Sequence, residues 1–155
     1  MRKHTVVFSV IAAVVVATVS VVASARQQNS DHEQITNAVL DYVNSIYDVK
    51  PELLDRSVSP DLVKFGYWRH QDTGEWEAMP MTFEQLKDLA GHFNAEGAIP
   101  SDAPKKIVVH DVRDRTASAS LDAYWGMDHI HLVKTGGRWQ ILQVLWQATP
   151  GADGH

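Results

Sequence analysis

From Thr116 to Trp125 the chain alternates without a break. Ala117, Ala119, Leu121, Ala123 and Trp125 fall on one side, and Thr116, Ser118, Ser120, Asp122 and Tyr124 on the other. A period of two is the signature of a strand with one packed face and one face that is wet or in an interface. Gly126 breaks that run just before Asp128. Two further β-rich runs follow, separated by Gly136-Gly137, and a Gly-Gly pair favours a tight hairpin because both turn positions can take positive φ. The spacing upstream is helical. Ile35, Ala38, Val39, Tyr42, Val43 and Ile46 form one apolar stripe, with Asp31 as an expected N-cap, Gln34 as its capping-box partner, and Lys50-Pro51 as the stop. A short second helix opens at Pro51 and is stopped by Ser59-Pro60. Val63–Trp68 and Glu75–Met79 read as a hairpin with Gly74 in its turn. Thr82 and Gln85 then cap a third helix whose apolar face is Phe83, Leu86, Leu89, Ala90 and Phe93. Residues 94–104 are a Gly- and Pro-bearing loop, and 105–113 a strand centred on Ile107-Val-Val109.

This order predicts an α+β fold. Three helices from the first half pack on the concave face of a strongly curved, mostly antiparallel sheet, which makes a cone with a pocket.

Composition changes this picture little. The 155 residues suit one domain, and 45% apolar with 21% charged residues predicts an ordinary packed core. A net charge of -5 argues against nucleic acid as a partner. The absence of Cys excludes disulfides, thiolate metal sites and Cys nucleophiles. The N-terminus adds a compartment. Arg2, Lys3 and His4 precede an apolar run from Thr5 to Val22, and Ala23-Ser24-Ala25 matches a signal-peptide cleavage site. The organisation expected is 1–25 as signal peptide or uncleaved anchor, 26–30 as a polar spacer, 31–148 as the domain and 149–155 as a polar tail. Either reading of 1–25 places the domain outside the cytoplasm, periplasmic or secreted, with membrane contact only through an uncleaved N-terminal segment.

The strand Lys106-Ile-Val-Val-His-Asp-Val112, the alternating Ala117-Ser-Ala-Ser-Leu121, then Trp125-Gly-Met-Asp-His-Ile-His-Leu132, Gly137-Arg-Trp-Gln-Ile141 and Val144-Leu-Trp146 resemble the "Putative lumazine-binding" family. That family is a branch of the nuclear transport factor 2-like superfamily, with SnoaL-like relatives. The resemblance spans roughly residues 31–148 and implies the cone-shaped fold and homodimerisation. Superfamily relatives include isomerases, dehydratases, epoxide hydrolases and association modules, so fold does not select an activity. Two positions depart from the family's pattern: His129 stands where an aromatic residue is usual, and Ser59 where a His is common.

Asp128 and His131 match the family's Asp-x-x-His positions and are the candidate catalytic residues, since a carboxylate or imidazole in a cone can move a proton. Strand periodicity sets them on opposite faces, Asp128 with Ile130 and His131 with His129, unless a bulge near Gly126 intervenes. The structural alternative has Asp128 closing the turn at Gly126 and His131 bonded across the sheet. His129 and His131 share a strand face, but no third ligand is placed near them, so no metal is expected. No cofactor motif is present. Tyr42, Trp68, Trp76, Phe93 and Trp125 are the candidate lining of an apolar ligand pocket; core packing and a dimer interface compete for the same aromatics. The leading expectation is small-molecule binding or association by a non-enzymatic domain. The alternative is a cofactor-independent lyase or isomerase using Asp128 or His131 as base.

Overall fold

The computed structural model describes residues 26–149. The expected signal or anchor segment (1–25) and all but the first residue of the polar tail lie outside the described residues. Residues 26–47 are helical and form α1. A 3-10 turn (Pro51–Leu53) leads into α2 (Leu54–Ser57), followed by β1 (Val58–Arg69), β2 (Trp76–Met81) and α3 (Phe83–His92). Four strands complete the domain: β3 (Lys105–Val112), β4 (Thr116–Ala123), β5 (Gly126–Thr135) and β6 (Arg138–Ala148). They form one six-stranded sheet in the order β2-β1-β6-β5-β4-β3. Only the β1–β6 pairing is parallel. The predicted α+β architecture of three helices on an open, mostly antiparallel sheet is the one observed.

Local chemistry explains the elements. Thr82 and Gln85 make the expected capping box on α3, each satisfying a backbone N–H that the helix start leaves free. Gly136 and Gly137 take φ of 58° and 80° in the β5–β6 turn. The alternation in β4 is realised as predicted, with Ala117, Ala119, Leu121 and Ala123 buried against the helices. These side chains pack with Ile35, Val39, Val43 and Ile46 of α1 and with Ile130, Leu132, Ile141 and Val144 of the central strands.

Two expectations for the start of the domain are corrected. Residues 26–30 are helical rather than a spacer, and Asp31 lies within α1 rather than at its N-cap. Asp31 is spaced by four from Ile35, so it falls on the buried stripe. It is 6% exposed and accepts hydrogen bonds from Lys134 Nζ at 2.6 Å, Trp139 Nε1 at 3.0 Å and Gln27 Nε2 at 3.1 Å. This carboxylate ties α1 to the β5–β6 hairpin. Burial acts to raise its pKa, but the bonds from Lys134, Trp139 and Gln27 win, and the carboxyl is held below its ordinary value. A depressed carboxyl contributes stability that is fully present above its unfolded pKa of about 3.9 and is lost as pH falls through the folded value. Asp31→Asn should therefore lower the thermal midpoint at neutral pH and flatten the acid limb below about pH 4 relative to wild type. An unchanged acid limb by circular dichroism would contradict the latch.

Candidate functional site

The inner face of the sheet closes a cavity of about 260 Å³ with α1 and α3. Trp68, Phe93, Trp125 and Trp146 supply aromatic wall, and Met79, Met81, Leu89 and Ile46 complete the apolar lining. Two charged residues reach it. Glu77 lies at the exposed rim, its carboxylate 2.9 Å from His70 Nε2. Lys64 lies at the buried end and is 6% exposed.

The register explains how a lysine comes to be buried. Lys64 pairs with Met81 of β2 and Val144 of β6, and Gly66 pairs with Met79 and Trp146. Lys64, Gly66 and Trp68 therefore share the inner face, while Val63, Phe65 and Tyr67 point outward. Gly66 is what lets Trp146 lie over β1, because a Cβ there would fall 2.2 Å from the indole Nε1. The indole in turn faces the Lys64 ammonium, which is 5.0 Å from the Trp146 ring centre and 5.4 Å from that of Tyr42.

Behind the cavity runs a chain of buried polar groups. Lys64 Nζ donates to Tyr42 Oη at 2.8 Å, and Tyr42 Oη donates to Asp128 Oδ2 at 2.8 Å. Trp125 Nε1 donates to Asp128 Oδ1 at 2.9 Å. Asp128 is fully buried. Burial, followed by the negative charge of Asp128 and its hydrogen bond, pushes the Tyr42 hydroxyl pKa well above that of a free tyrosine. Desolvation pushes the Lys64 ammonium below the ordinary lysine value, and the Asp128 charge opposes this.

The cavity keeps donors without partners. A lysine ammonium carries three N–H groups, and one is engaged, by Tyr42. The Trp146 indole N–H is buried and has no hydrogen-bond partner. An unpaired buried donor costs about 1–3 kcal/mol.

The predicted site residues divide. Trp68, Phe93 and Trp125 line the cavity. Tyr42 stands one layer behind it, between Lys64 and Asp128. Trp76 is corrected: it pairs with Arg69 on the outer face, is 45% exposed, and lies under the Arg69 guanidinium at 5.8 Å. Trp68 pairs with Glu77, one residue out of phase, so the hairpin register separates the two indoles. His131 lies apart from Asp128, as the strand period predicts. It is exposed on the outer face, 2.9 Å from Gln143 Oε1, whereas Asp128 is on the inner face. The two cannot serve one proton transfer. His129 is also outward, and no group of three His, Asp or Glu among the described residues is arranged to hold a metal.

Lys64 was missed by sequence reasoning. Its signal was parity with Leu62 and Trp68, two apolar residues on the same strand face.

An open six-stranded sheet curled over three helices with a cavity between them is the nuclear transport factor 2-like architecture. A nuclear transport factor 2-like protein from Silicibacter pomeroyi superposes with a TM-score of 0.61 at 14% identity, over 79% of this chain and 98% of its own. One from Novosphingobium aromaticivorans, with a cystatin-like fold, gives 0.61 at 12% identity over 84% and 89%. A "Putative Scytalone Dehydratase" from the same organism gives 0.53 at 13% identity over 81% and 88%. These likenesses establish the fold. Within it, residues 30–147 match the "Putative lumazine-binding" family, and the chain belongs to that family. No curated protein matches the chain.

Proposed function

We propose that the domain binds a small, largely apolar molecule carrying one oxygen acceptor, a carboxylate or carbonyl, inside the cavity. The observation that carries this reading is the set of unengaged donors on Lys64 and Trp146 in an otherwise apolar, aromatic chamber. Apolar walls supply the bulk of the affinity and the few polar groups fix orientation. The Glu77 carboxylate at the rim disfavours ligands with more than one negative charge.

The test uses 2-naphthoate and the emission of the tryptophans that line the cavity. Wild type should show saturable quenching. Lys64→Met, which keeps the volume and removes the ammonium, should weaken binding by about tenfold or more, the worth of one charged hydrogen bond. Equal affinity in the two proteins would contradict the assignment of Lys64 as the anchor.

A second copy of the chain is the proposed occupant of the outer sheet face. Val63 (59% exposed), Leu145 (51%), Tyr67 (42%) and Met127 (38%) stand there. The register sets Tyr67, Gln147 and Met127 in one row and Phe65, Leu145 and His129 in the next. Aromatic residues, Met and Arg beside neutral hydrogen-bonding side chains are the mixture that protein interfaces favour. Leu145→Asp should halve the mass measured by light scattering while leaving naphthoate binding intact. A wild-type protein that is monomeric at high concentration would end this reading.

A further inference from the structure

We propose that Lys64 acts as a nucleophilic amine that condenses with a small apolar aldehyde or ketone held in the cavity, forming an imine. The inference rests on the binding reading above and assigns that site a covalent chemistry.

Three observations carry it. The first is the lysine's partner. Lys50, Lys87 and Lys134 each meet a carboxylate, at 3.4, 2.5 and 2.6 Å. Lys64 instead meets a tyrosine hydroxyl, which does not neutralise an ammonium as a carboxylate does. Burial acts in the same direction, lowering its affinity for the proton more than the charge of Asp128 restores it. A lysine becomes a nucleophile when its surroundings favour the neutral amine.

The second is a proton path. Nζ–H, Tyr42 Oη–H and Asp128 Oδ2 form a continuous line with both steps at 2.8 Å. The amine lone pair adds to the carbonyl carbon and the C=O pair becomes an oxyanion. The nitrogen sheds one proton at addition and its second as the C=N bond forms, and this line can carry each toward Asp128 and return it to the departing oxygen. The oxygen takes up two protons and leaves as water, and the nitrogen keeps a double bond to carbon. One carbonyl compound and one amine give one imine and one water, with no oxidant or reductant.

The third is the enclosure. The carbonyl compound would sit among Trp68, Phe93, Trp125 and Trp146, against walls that offer few polar groups to hold a hydrolytic water at the imine. The unpaired Trp146 N–H is a donor for which a carbonyl oxygen is the matching acceptor.

The test treats the full chain with 2-naphthaldehyde and sodium cyanoborohydride, followed by peptide mapping. The expected result is preferential reductive labelling at Lys64, slowed about tenfold by 2-naphthoate held at about ten times its Kd, since only the unoccupied cavity reacts. Lys64→Arg, which removes the primary amine, should lose the adduct. The competition experiment needs no variant and stands even if that substitution impairs folding. If 2-naphthoate binds through Lys64 but labelling there is no faster than at exposed Lys106, the imine is overturned and the binding reading stands. If 2-naphthoate does not bind and Lys64 is not labelled, both fall.

Discussion

Asp128→Ala is expected to lower stability by about 3–5 kcal/mol, the cost of removing one partner from a buried charged network. Asp128 is fully buried and accepts from both Tyr42 Oη and Trp125 Nε1. Its removal leaves two buried donors without an acceptor and a buried ammonium two hydrogen bonds away without its counter-charge. In a domain of this size the loss corresponds to roughly 10–20 °C in the thermal midpoint. Asp128→Asn keeps an acceptor oxygen and should cost less, about 1–3 kcal/mol, because charge rather than shape is lost. The network also makes a coupling prediction. Lys64→Met combined with Asp128→Ala removes both charges, so the double variant should be more stable than the sum of the single losses by more than about 0.5 kcal/mol. Strict additivity in denaturant unfolding would show that Lys64 and Asp128 do not sense each other through Tyr42.

Trp125→Ala should be nearly as costly, about 3–5 kcal/mol, as for other large-to-small aromatic changes in a core. Trp125 is 7% exposed, stands edge-on to Tyr42 at 6.3 Å and to Tyr47 at 5.6 Å, and lines the cavity. Its loss frees two aromatic rings and the Asp128 oxygen together. Tyr47 also holds the loop before β3 through its hydroxyl, which donates to the Pro104 carbonyl at 2.8 Å and accepts from Tyr124 N at 2.6 Å. The effect should therefore spread beyond the cavity, and hydrogen exchange near Pro104 should quicken. An unchanged midpoint would contradict the placement of Trp125 on the packed face.

Much of the fold was legible because local signals agreed with the global result. The alternation of β4, the Gly136-Gly137 turn and the Thr82–Gln85 cap all point to the same architecture. The errors have physical causes. Asp31 reads as an N-cap because side-chain oxygens are favoured there, yet its spacing from Ile35 also places it on the buried stripe, and Lys134 and Trp139 make that burial tolerable. Trp76 reads as pocket lining because aromatics suit half-buried faces, but a hairpin's register, which composition does not encode, decides which face receives it. Lys64 was hidden for a related reason. In β1 the apolar residues Val63, Phe65 and Tyr67 suggest the inward set, and the structure gives them to the outer face instead. A lysine is almost never buried without a compensating network, and the compensation here comes from Tyr42 and Asp128, 22 and 64 positions away in sequence. Such partners become visible only when the sheet is assembled. Asp128, Tyr42 and Trp125 were each singled out from sequence; the hydrogen bonds that join them were not.

The most direct test of the cavity as a Lys64-anchored binding site is a crystal structure of the protein soaked with 2-naphthoate. The account predicts density for the ring among Trp68, Phe93 and Trp125, with the carboxylate in hydrogen-bond contact with Lys64 Nζ. Density only on the outer face, or a ring in the cavity with its carboxylate turned toward Glu77 and solvent, would contradict it.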